Sequence, residues 1–172
     1  MKINKLWGEL KQIANGDYVL EGDLISEENI EIDLDDRLVV RGKVESKKSI
    51  VVTKGLVAGD GIKAGCGIKA GWGIEAGCGI EAGDGIEAGW GIKAKTFIHS
   101  EKRIFAGISV YRTNADCDKT IKCAELRKGE ICFGDLVITK PEEPTETIMT
   151  ISEIETKLGI KNLKIKSEKE GK

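Results

Sequence analysis

Aliphatic residues recur at every sixth position through the middle of the chain. From residue 59 to residue 94 the sequence consists of six copies of Gly-x-Gly-Ile-(Lys/Glu)-Ala. The isoleucine and the alanine lie two residues apart, like the inward positions of a β-strand, and the Lys or Glu between them faces outward. Each hexapeptide therefore predicts one short strand, and its Gly-x-Gly predicts a tight corner.

The six-residue step extends well beyond these obvious repeats. Fourteen consecutive aliphatic residues occupy it from Ile32 to Val110. The second inward position, two residues later, is small from Ala58 onward and ends with Ser100 and Ala106. The pattern predicts a narrow core with one layer of large and one layer of small side chains.

Three such steps close a triangular coil of about 18 residues. Outward residues 18 apart should then lie on adjacent coils, about 4.8 Å apart, where opposite charges stabilise and like charges do not. At this spacing the repeat pairs only opposite signs, and Trp72 meets Trp90. We therefore predict an all-β fold, a triangular single-stranded parallel β-helix. The charged pairs are Lys63 with Glu81, Lys69 with Glu87, and Glu75 with Lys93.

The two ends of the chain predict small additions to this β-helix. Residues 1–16 predict an amphipathic helix ended by Asn15-Gly16, which would cover the open end of the sheet. The β-helix itself would occupy residues 17–140. Residues 141–146 predict a linker that contains both prolines. Residues 147–172 predict a small helix-and-strand module with a disordered end.

The regular step is interrupted after Val110 by a polar stretch. It resumes at Leu126, Cys132 and Ile138, shifted by four residues. This predicts a four-residue insertion at one corner, with Cys132 in the core.

Charge and composition narrow the range of functions. The 172 residues contain 27 Lys and Arg against 29 Asp and Glu, and this lack of excess positive charge argues against nucleic-acid binding. No apolar run approaches the length of about 18 residues that a membrane-spanning helix needs, so no membrane span is expected. The N-terminus lacks the pattern of a signal peptide. Five cysteines, an odd number without paired spacing, favour a reduced, cytoplasmic setting.

The candidate binding residues are aromatic. Trp72 and Trp90 should stack at one corner between glycines, and exposed aromatic pairs often mark a binding surface. Phe97, Phe105 and Tyr111 lie near the end of the regular register and could widen this patch. The alternative is that the two rings only stack on each other.

The single histidine, His99, has two interpretations. It could be a general base whose pKa is raised by Glu81 one coil below, or it could be the last rung of the charge ladder on that face, which we favour. No cofactor is predicted, because the Gly-x-Gly runs have no helix after them. No metal site is predicted either, because the cysteines near the inserted loop, Cys117 and Cys123, lack the spacing of ligands.

Three resemblances suggest possible functions. The hexapeptide steps over residues 32–138 resemble the left-handed β-helix of trimeric hexapeptide-repeat acyltransferases, which use acyl-CoA. Residues 22–26 to 55–59 are similar to bactofilins, whose triangular β-helices polymerise end to end. The Gly-Trp-Gly-Ile-Glu-Ala run, residues 103–107 and 121–123, and the tail MTISEIETKLGIKNLKIK resemble proteins of phages and mobile elements in Gram-positive bacteria. Many such proteins antagonise host defence, CRISPR nucleases included.

These observations favour a non-enzymatic binding protein of phage or mobile-element type, acting by protein–protein contact on a host protein or on a second copy of itself. A self-assembling scaffold like the bactofilins is the first alternative, and homo-oligomers are expected under it. An acyltransferase is the second alternative, and its catalytic residue would be His99.

Overall fold

The computed structural model describes residues 1–108 and 118–139. In this part of the chain every regular element is a β-strand, and the strands wind into a parallel β-helix of about six coils. Most strands have three residues, of which the first and third are buried and the middle one faces outward. The all-β parallel β-helix predicted from the hexapeptide step is thereby confirmed.

The described residues contain strands that we number along the chain. They are β1 (Lys2–Asn4), β2 (Lys11–Gln12), β3 (Tyr18–Leu20), β4 (Leu24–Ser26), β5 (Ile30–Asp33), β6 (Leu38–Val40), β7 (Val44–Ser46), β8 (Ile50–Val52), β9 (Leu56–Ala58), β10 (Ile62–Ala64), β11 (Ile68–Ala70), β12 (Ile74–Ala76), β13 (Ile80–Ala82), β14 (Ile86–Ala88), β15 (Ile92–Ala94), β16 (Phe97–Ala106), β17 (Thr120–Cys123), β18 (Glu125–Phe133) and β19 (Asp135–Ile138).

Every third strand pairs in parallel, so the coil has three faces. The first face consists of β4, β7, β10, β13 and the beginning of β16, and the second of β1, β5, β8, β11, β14 and the end of β16. The third face consists of β2, β3, β6, β9, β12, β15, β17 and β19. Because β16 runs around a corner without a break, the first two faces form one continuous sheet, and β18 pairs with β16 along it.

The register of the regular coils agrees with the charge pattern. Lys63 lies beside Glu81 and Lys69 beside Glu87 on adjacent coils, with N–O distances of 3.1 Å and 2.9 Å. Glu75 and Lys93 are also direct neighbours in register, but Lys93 turns to Asp118 at 3.8 Å instead. The predicted coil length is therefore confirmed. These exposed pairs select the register more than they stabilise it.

The core has the two predicted layers. The first inward position is a fully buried aliphatic residue in every regular coil, and the second is a smaller buried residue, valine at Val40 and Val52 and alanine or serine in the other regular strands. The hydroxyls of the two buried serines are hydrogen-bonded to backbone oxygens. Ser46 Oγ donates to Glu28 O at 2.9 Å, and Ser100 Oγ donates to Asp84 O at 2.6 Å. No buried side-chain N or O atom among the described residues lacks a hydrogen-bond partner.

The register differs from the six-residue step before Leu38. Ile32 pairs with Val52 and so belongs to the second layer, whereas Ile30 pairs with Ile50 in the first. The corner between Ile32 and Leu38 is two residues longer than the regular three-residue corner, so strict counting backwards reached the wrong layer. Both isoleucines are buried, which is why hydrophobicity alone could not separate them.

The predicted four-residue insertion was too short. Ile121 lies on Ile92, and it takes the place expected for Val110, which lies outside the described residues. Leu126 then lies on Ile98 and Ile131 on Ile104. Cys132 was consequently assigned wrongly to the core: it is exposed, because the last coil takes five-residue steps with positive-φ corners at Gly129 and Gly134.

The predicted N-terminal helix is wrong. Residues 2–4 form β1, which pairs in parallel with β5, and residues 11–12 form β2, which pairs antiparallel with β3. Ile3 is completely buried, and Trp7 and Leu10 pack against the core. Open sheet edges offer these residues backbone partners that a separate helix would not use. The predicted linker at 141–146 and module at 147–172 lie outside the described residues.

Candidate binding site

The Gly-x-Gly corners place the two tryptophans in one column between the second and third faces. Trp72 N donates to Lys54 O at 3.1 Å, and Trp90 N donates to Trp72 O at 3.4 Å. The two indoles are stacked, with ring centroids 5.1 Å apart and ring planes 2° from parallel. Lys54 Nζ lies 4.8 Å from the centroid of the Trp72 ring. We call Lys54, Trp72 and Trp90 the tryptophan corner.

The rings are half-buried rather than fully exposed as the sequence suggested. Their mutual stacking removes a part of both surfaces from water. A stacked aromatic pair contributes about 0.5–1.5 kcal/mol to stability in addition to the contribution of the apolar area that it buries. The stacked arrangement expected from the spacing of the two residues is therefore present.

A trough runs beside the tryptophan corner, and its floor consists of glycines. Gly55, Gly73 and Gly91 occupy successive coils in one column, and a Cβ added at Gly73 would lie 3.2 Å from the carbonyl oxygen of Gly91. The missing side chains leave a cavity of about 130 Å³. We call it the glycine trough.

The walls and ends of the trough carry charge. The wall opposite the indoles is formed by Val57, Glu75 and Lys93, the outward residues of β9, β12 and β15. Arg37 lies under Gly55 at one end, and Asp118 lies over Gly91 at the other.

Most of these charges are already compensated within the molecule. Arg37 donates from Nε and Nη2 to the carboxylate of Asp17 at 3.1 Å and 2.6 Å, and this contact lowers the pKa of the buried Asp17 and raises that of Arg37. Hydrogen bonds from Thr120 lower the pKa of Asp118, which also neighbours Lys93. The Glu75 carboxylate also lies near enough to Arg37 to contribute to the raised pKa of that guanidinium.

The structure does not bring the other candidate aromatic residues into this site. Phe97 lies at the corner between the third and first faces, where its ring covers Gly79 and the Arg127 guanidinium carbon lies 3.6 Å from the ring centroid. Phe105 faces outward on the second face, next to Phe133 in register. Tyr111 lies outside the described residues.

His99 lies in the outward row of the first face, next to Glu81 in register. Its Nε2 contacts Glu101 Oε1 at 2.8 Å, and that carboxylate is shared with Lys128. His99 is thus a member of a surface hydrogen-bond network, and it does not line the glycine trough.

The described cysteines are all free. Cys66 and Cys78 lie in different corner columns, as expected from their spacing, and Cys123 is buried in the core, where desolvation raises the pKa of its thiol. In residues 1–108 and 118–139 no group of three His, Cys, Asp or Glu side chains is arranged to hold a metal ion.

Comparison with known proteins adds no relative: no protein-family model, curated protein or solved structure matches this chain. Within the described part of the chain, no helix has the length and apolar character needed to cross a membrane.

Sequence reasoning identified the tryptophans but missed the trough beside them. The repeat does contain a signal for the trough, because the glycine that follows each tryptophan leaves the adjacent column without side chains. Arg37 and Asp118, which close the two ends, could not be assigned. Arg37 lies in the longer corner before Leu38, and Asp118 lies just before β17, outside the six-residue step.

Proposed function

We propose that this chain is a non-enzymatic binding protein that acts by protein–protein contact through the tryptophan corner. The observation that supports this proposal most is the half-buried indole stack of Trp72 and Trp90 beside the glycine trough. A half-buried aromatic pair next to a cavity is the type of anchor that dominates binding energy at interfaces. The other corners use Asp and Cys at the same position of the repeat, so the coil does not need tryptophan there.

The proposed class of partner rests on the sequence alone. The resemblance to proteins of phages and mobile elements supports a host protein, and a host-defence factor such as a CRISPR nuclease is the specific candidate. The near balance of charges supports a protein partner over a nucleic acid.

The test is a pair of substitutions, Trp72→Ala with Trp90→Ala. Immobilised wild-type and variant chains are incubated with a bacterial host lysate, and captured proteins are compared by mass spectrometry. The matched control is Cys66→Ala with Asp84→Ala, which occupy the same positions of the neighbouring corner. Loss of an aromatic anchor typically weakens binding about thirtyfold or more.

We expect the control to capture the same partner as wild type and the tryptophan variant to lose it. Both variants must remain folded at the assay temperature, which a melting curve establishes. Capture of the same proteins by all three chains would show that the tryptophan corner is not the binding surface.

Self-assembly is a second candidate, supported by the last coil. Its apolar side chains are exposed, namely Phe133, Leu136, Val137 and Ile138 at 41–51%, and exposed apolar strands attract further strands. Sedimentation of wild type over a range of concentrations, compared with Phe133→Ser, tests it. A particle mass that increases with protein concentration in wild type, and increases less in Phe133→Ser, would favour the self-assembling scaffold.

The acyltransferase alternative depends on His99. Because this residue is already engaged by Glu101, we expect His99→Ala to preserve both the melting temperature and partner capture. Acetyl-CoA-dependent transfer that is present in wild type and absent in this variant would instead establish an enzyme.

A further inference from the structure

We propose that the second face of the β-helix is a contact surface for a second copy of this chain, which packs on it with its helix axis antiparallel. This inference goes beyond the proposed function, because it uses neither the tryptophan corner nor the last coil. The outward row of the second face carries, on four successive coils, Val51, Lys69, Glu87 and Phe105. Val51 is 42% exposed, and Phe105 is half-buried. The row therefore has two charges at its centre and an apolar side chain on either side of them.

The two charges decide how two such faces would meet. Within one molecule Lys69 Nζ lies 2.9 Å from Glu87 Oε2, and the two side chains are 66% and 39% exposed. Two faces with parallel helix axes would set Lys69 against Lys69 and Glu87 against Glu87, and like charges in contact are unfavourable. A two-fold axis that lies in the contact plane between these two coils sets each lysine against the glutamate of the other copy instead.

The same arrangement brings apolar side chains together. Val51 lies one coil before Lys69, and Phe105 lies one coil after Glu87. The two-fold axis therefore sets Val51 of one copy opposite Phe105 of the other, on both sides of the charged centre. Sheets that pack face to face are about 10 Å apart, a distance at which opposing side chains touch. The charges would fix orientation and register, and the apolar contacts would supply the affinity.

The described residues of the other two faces are less self-complementary. On the first face the equivalent ion pair is Lys63 with Glu81. A two-fold axis between these two residues would set Ile25 opposite Lys128. On the third face the equivalent axis would set the outward valine of β9 opposite the outward lysine of β17. Both mismatches press an apolar side chain on a charge that must lose water without compensation. The second face is therefore the face that fits a second copy best.

The size of the second face predicts a weak association. The strands that would overlap run from β5 to β18. They are about 4.8 Å apart and, with their corners, about 15 Å long, which gives about 450 Å² per copy. A standard stable interface buries about 800 Å² per partner. We therefore expect a reversible dimer that forms at chain concentrations of about 1 mM and dissociates at about 10 µM.

The experiment measures the mass of the full chain by sedimentation equilibrium between about 10 µM and 1 mM. We expect wild type to approach the mass of two chains and not to exceed it. Lys69→Glu sets like charges against each other in the dimer and should weaken it at least about tenfold. The swap of both residues, Lys69→Glu with Glu87→Lys, restores opposite charges in the same two-fold arrangement and should restore the dimer. The matched control is Lys63→Glu, which removes the equivalent ion pair on the first face and should dimerise like wild type.

A second pair of variants tests the apolar contacts. Val51→Ser removes two contacts with Phe105 from each dimer and should weaken it about tenfold. Its control is Ile25→Ser, because Ile25 is an outward residue of the first face with a similar exposure of 49%. We expect this control to leave the dimer unchanged. Melting curves establish that every variant is folded at the temperature of the measurement.

The proposal is overturned if wild type keeps the mass of one chain at about 1 mM, if Lys69→Glu dimerises like its control, or if the charge swap does not restore the dimer. A mass beyond two chains that persists in Lys69→Glu and is lost in Ile138→Ser would also overturn it, and would favour assembly through the last coil, where Ile138 is 51% exposed. Partner capture through Trp72 and Trp90 is measured separately, so this proposal and the proposed function fail independently.

Discussion

Asp17 and Arg37 form the most buried ion pair among the described residues. The Asp17 side chain is 7% exposed and that of Arg37 is 44% exposed, with 2.6 Å between Oδ2 and Nη2. Hydrogen bonds from Arg37 are the largest cause that lowers the pKa of Asp17 below 3.8, followed in the opposite sense by burial. A pKa that is lower in the folded than in the unfolded state stabilises the fold above the unfolded pKa, and this stability is lost as the pH falls through the folded pKa.

We therefore expect Asp17→Asn to lower the free energy of unfolding by about 1–2 kcal/mol at pH 7. The difference from wild type should shrink as the pH falls below about 3.8 and on through the lowered pKa of folded Asp17, because wild-type Asp17 then becomes neutral as well. Urea unfolding at several pH values measures it. The control is Asp35→Asn, whose partner Lys5 is exposed, and which should change stability little. A difference that does not depend on pH would contradict the ionic contribution of Asp17.

At the scale of the element, the two glycine positions of each corner differ in how strongly they require glycine. Neither is required by positive φ, because the positive-φ glycines of the described chain are at 16, 22, 107, 129 and 134. The first corner glycine is needed because the previous coil is too close: a Cβ at Gly65 would lie 1.9 Å from Lys47 O. At the second, Gly67, the nearest atom would be 3.3 Å away.

This asymmetry predicts unequal effects of the same substitution. Gly65→Ala should lower the free energy of unfolding by about 3 kcal/mol, because backbone of the coil below must move. Gly67→Ala should cost about 1 kcal/mol or less. Chemical denaturation of both variants provides the measurement, and each is the control of the other. Equal losses would mean that the coils can separate at this corner without cost.

At the scale of the whole molecule, the N-terminal segment continues the sheets and covers one end of the core. Ile3 is fully buried over the end of the second face, and the antiparallel strand β2 ends the third face. An antiparallel strand interrupts the parallel stacking that another β-helix end would need. The predicted capping helix is thus replaced by strands β1 and β2, which occupy this end of the sheets.

Removal of residues 1–12 should expose this end. We expect a lower melting temperature and a larger, concentration-dependent mass in light scattering, because a bare sheet edge pairs with other chains. The control is Leu6→Ser in the full chain, since Leu6 is 88% exposed and should contribute nothing to the cap. A truncated chain with wild-type mass and melting temperature would contradict a capping role for residues 1–12.

The hexapeptide pattern was sufficient to derive the fold and the register of the regular coils. Inward Ile and Ala, outward charges of opposite sign and two tryptophans one coil apart all constrain the same geometry, and each agrees with the structure. The pattern gave wrong positions where no second feature of the sequence supported the count of residues. Ile30 and Ile32 are both hydrophobic, and the last coil steps by five residues, so neither the layer of Ile32 nor the position of Cys132 could be obtained by counting.

By itself the sequence determined the β-helix, the length of its regular coil and the tryptophan stack, because these follow from local periodicity repeated many times. Only the tertiary structure decided that residues 2–4 and 11–12 form strands, since the backbone edges that attract them belong to residues 18–33. It also decided that Arg37, Glu75 and Asp118 meet along one glycine trough. Glu75 lies in a regular coil, whereas Arg37 lies in the longer corner between Ile32 and Leu38 and Asp118 lies just before β17, outside the regular step. The length of such a corner is set by how the chain packs around it, so no repeating pattern places Arg37 or Asp118 beside Glu75.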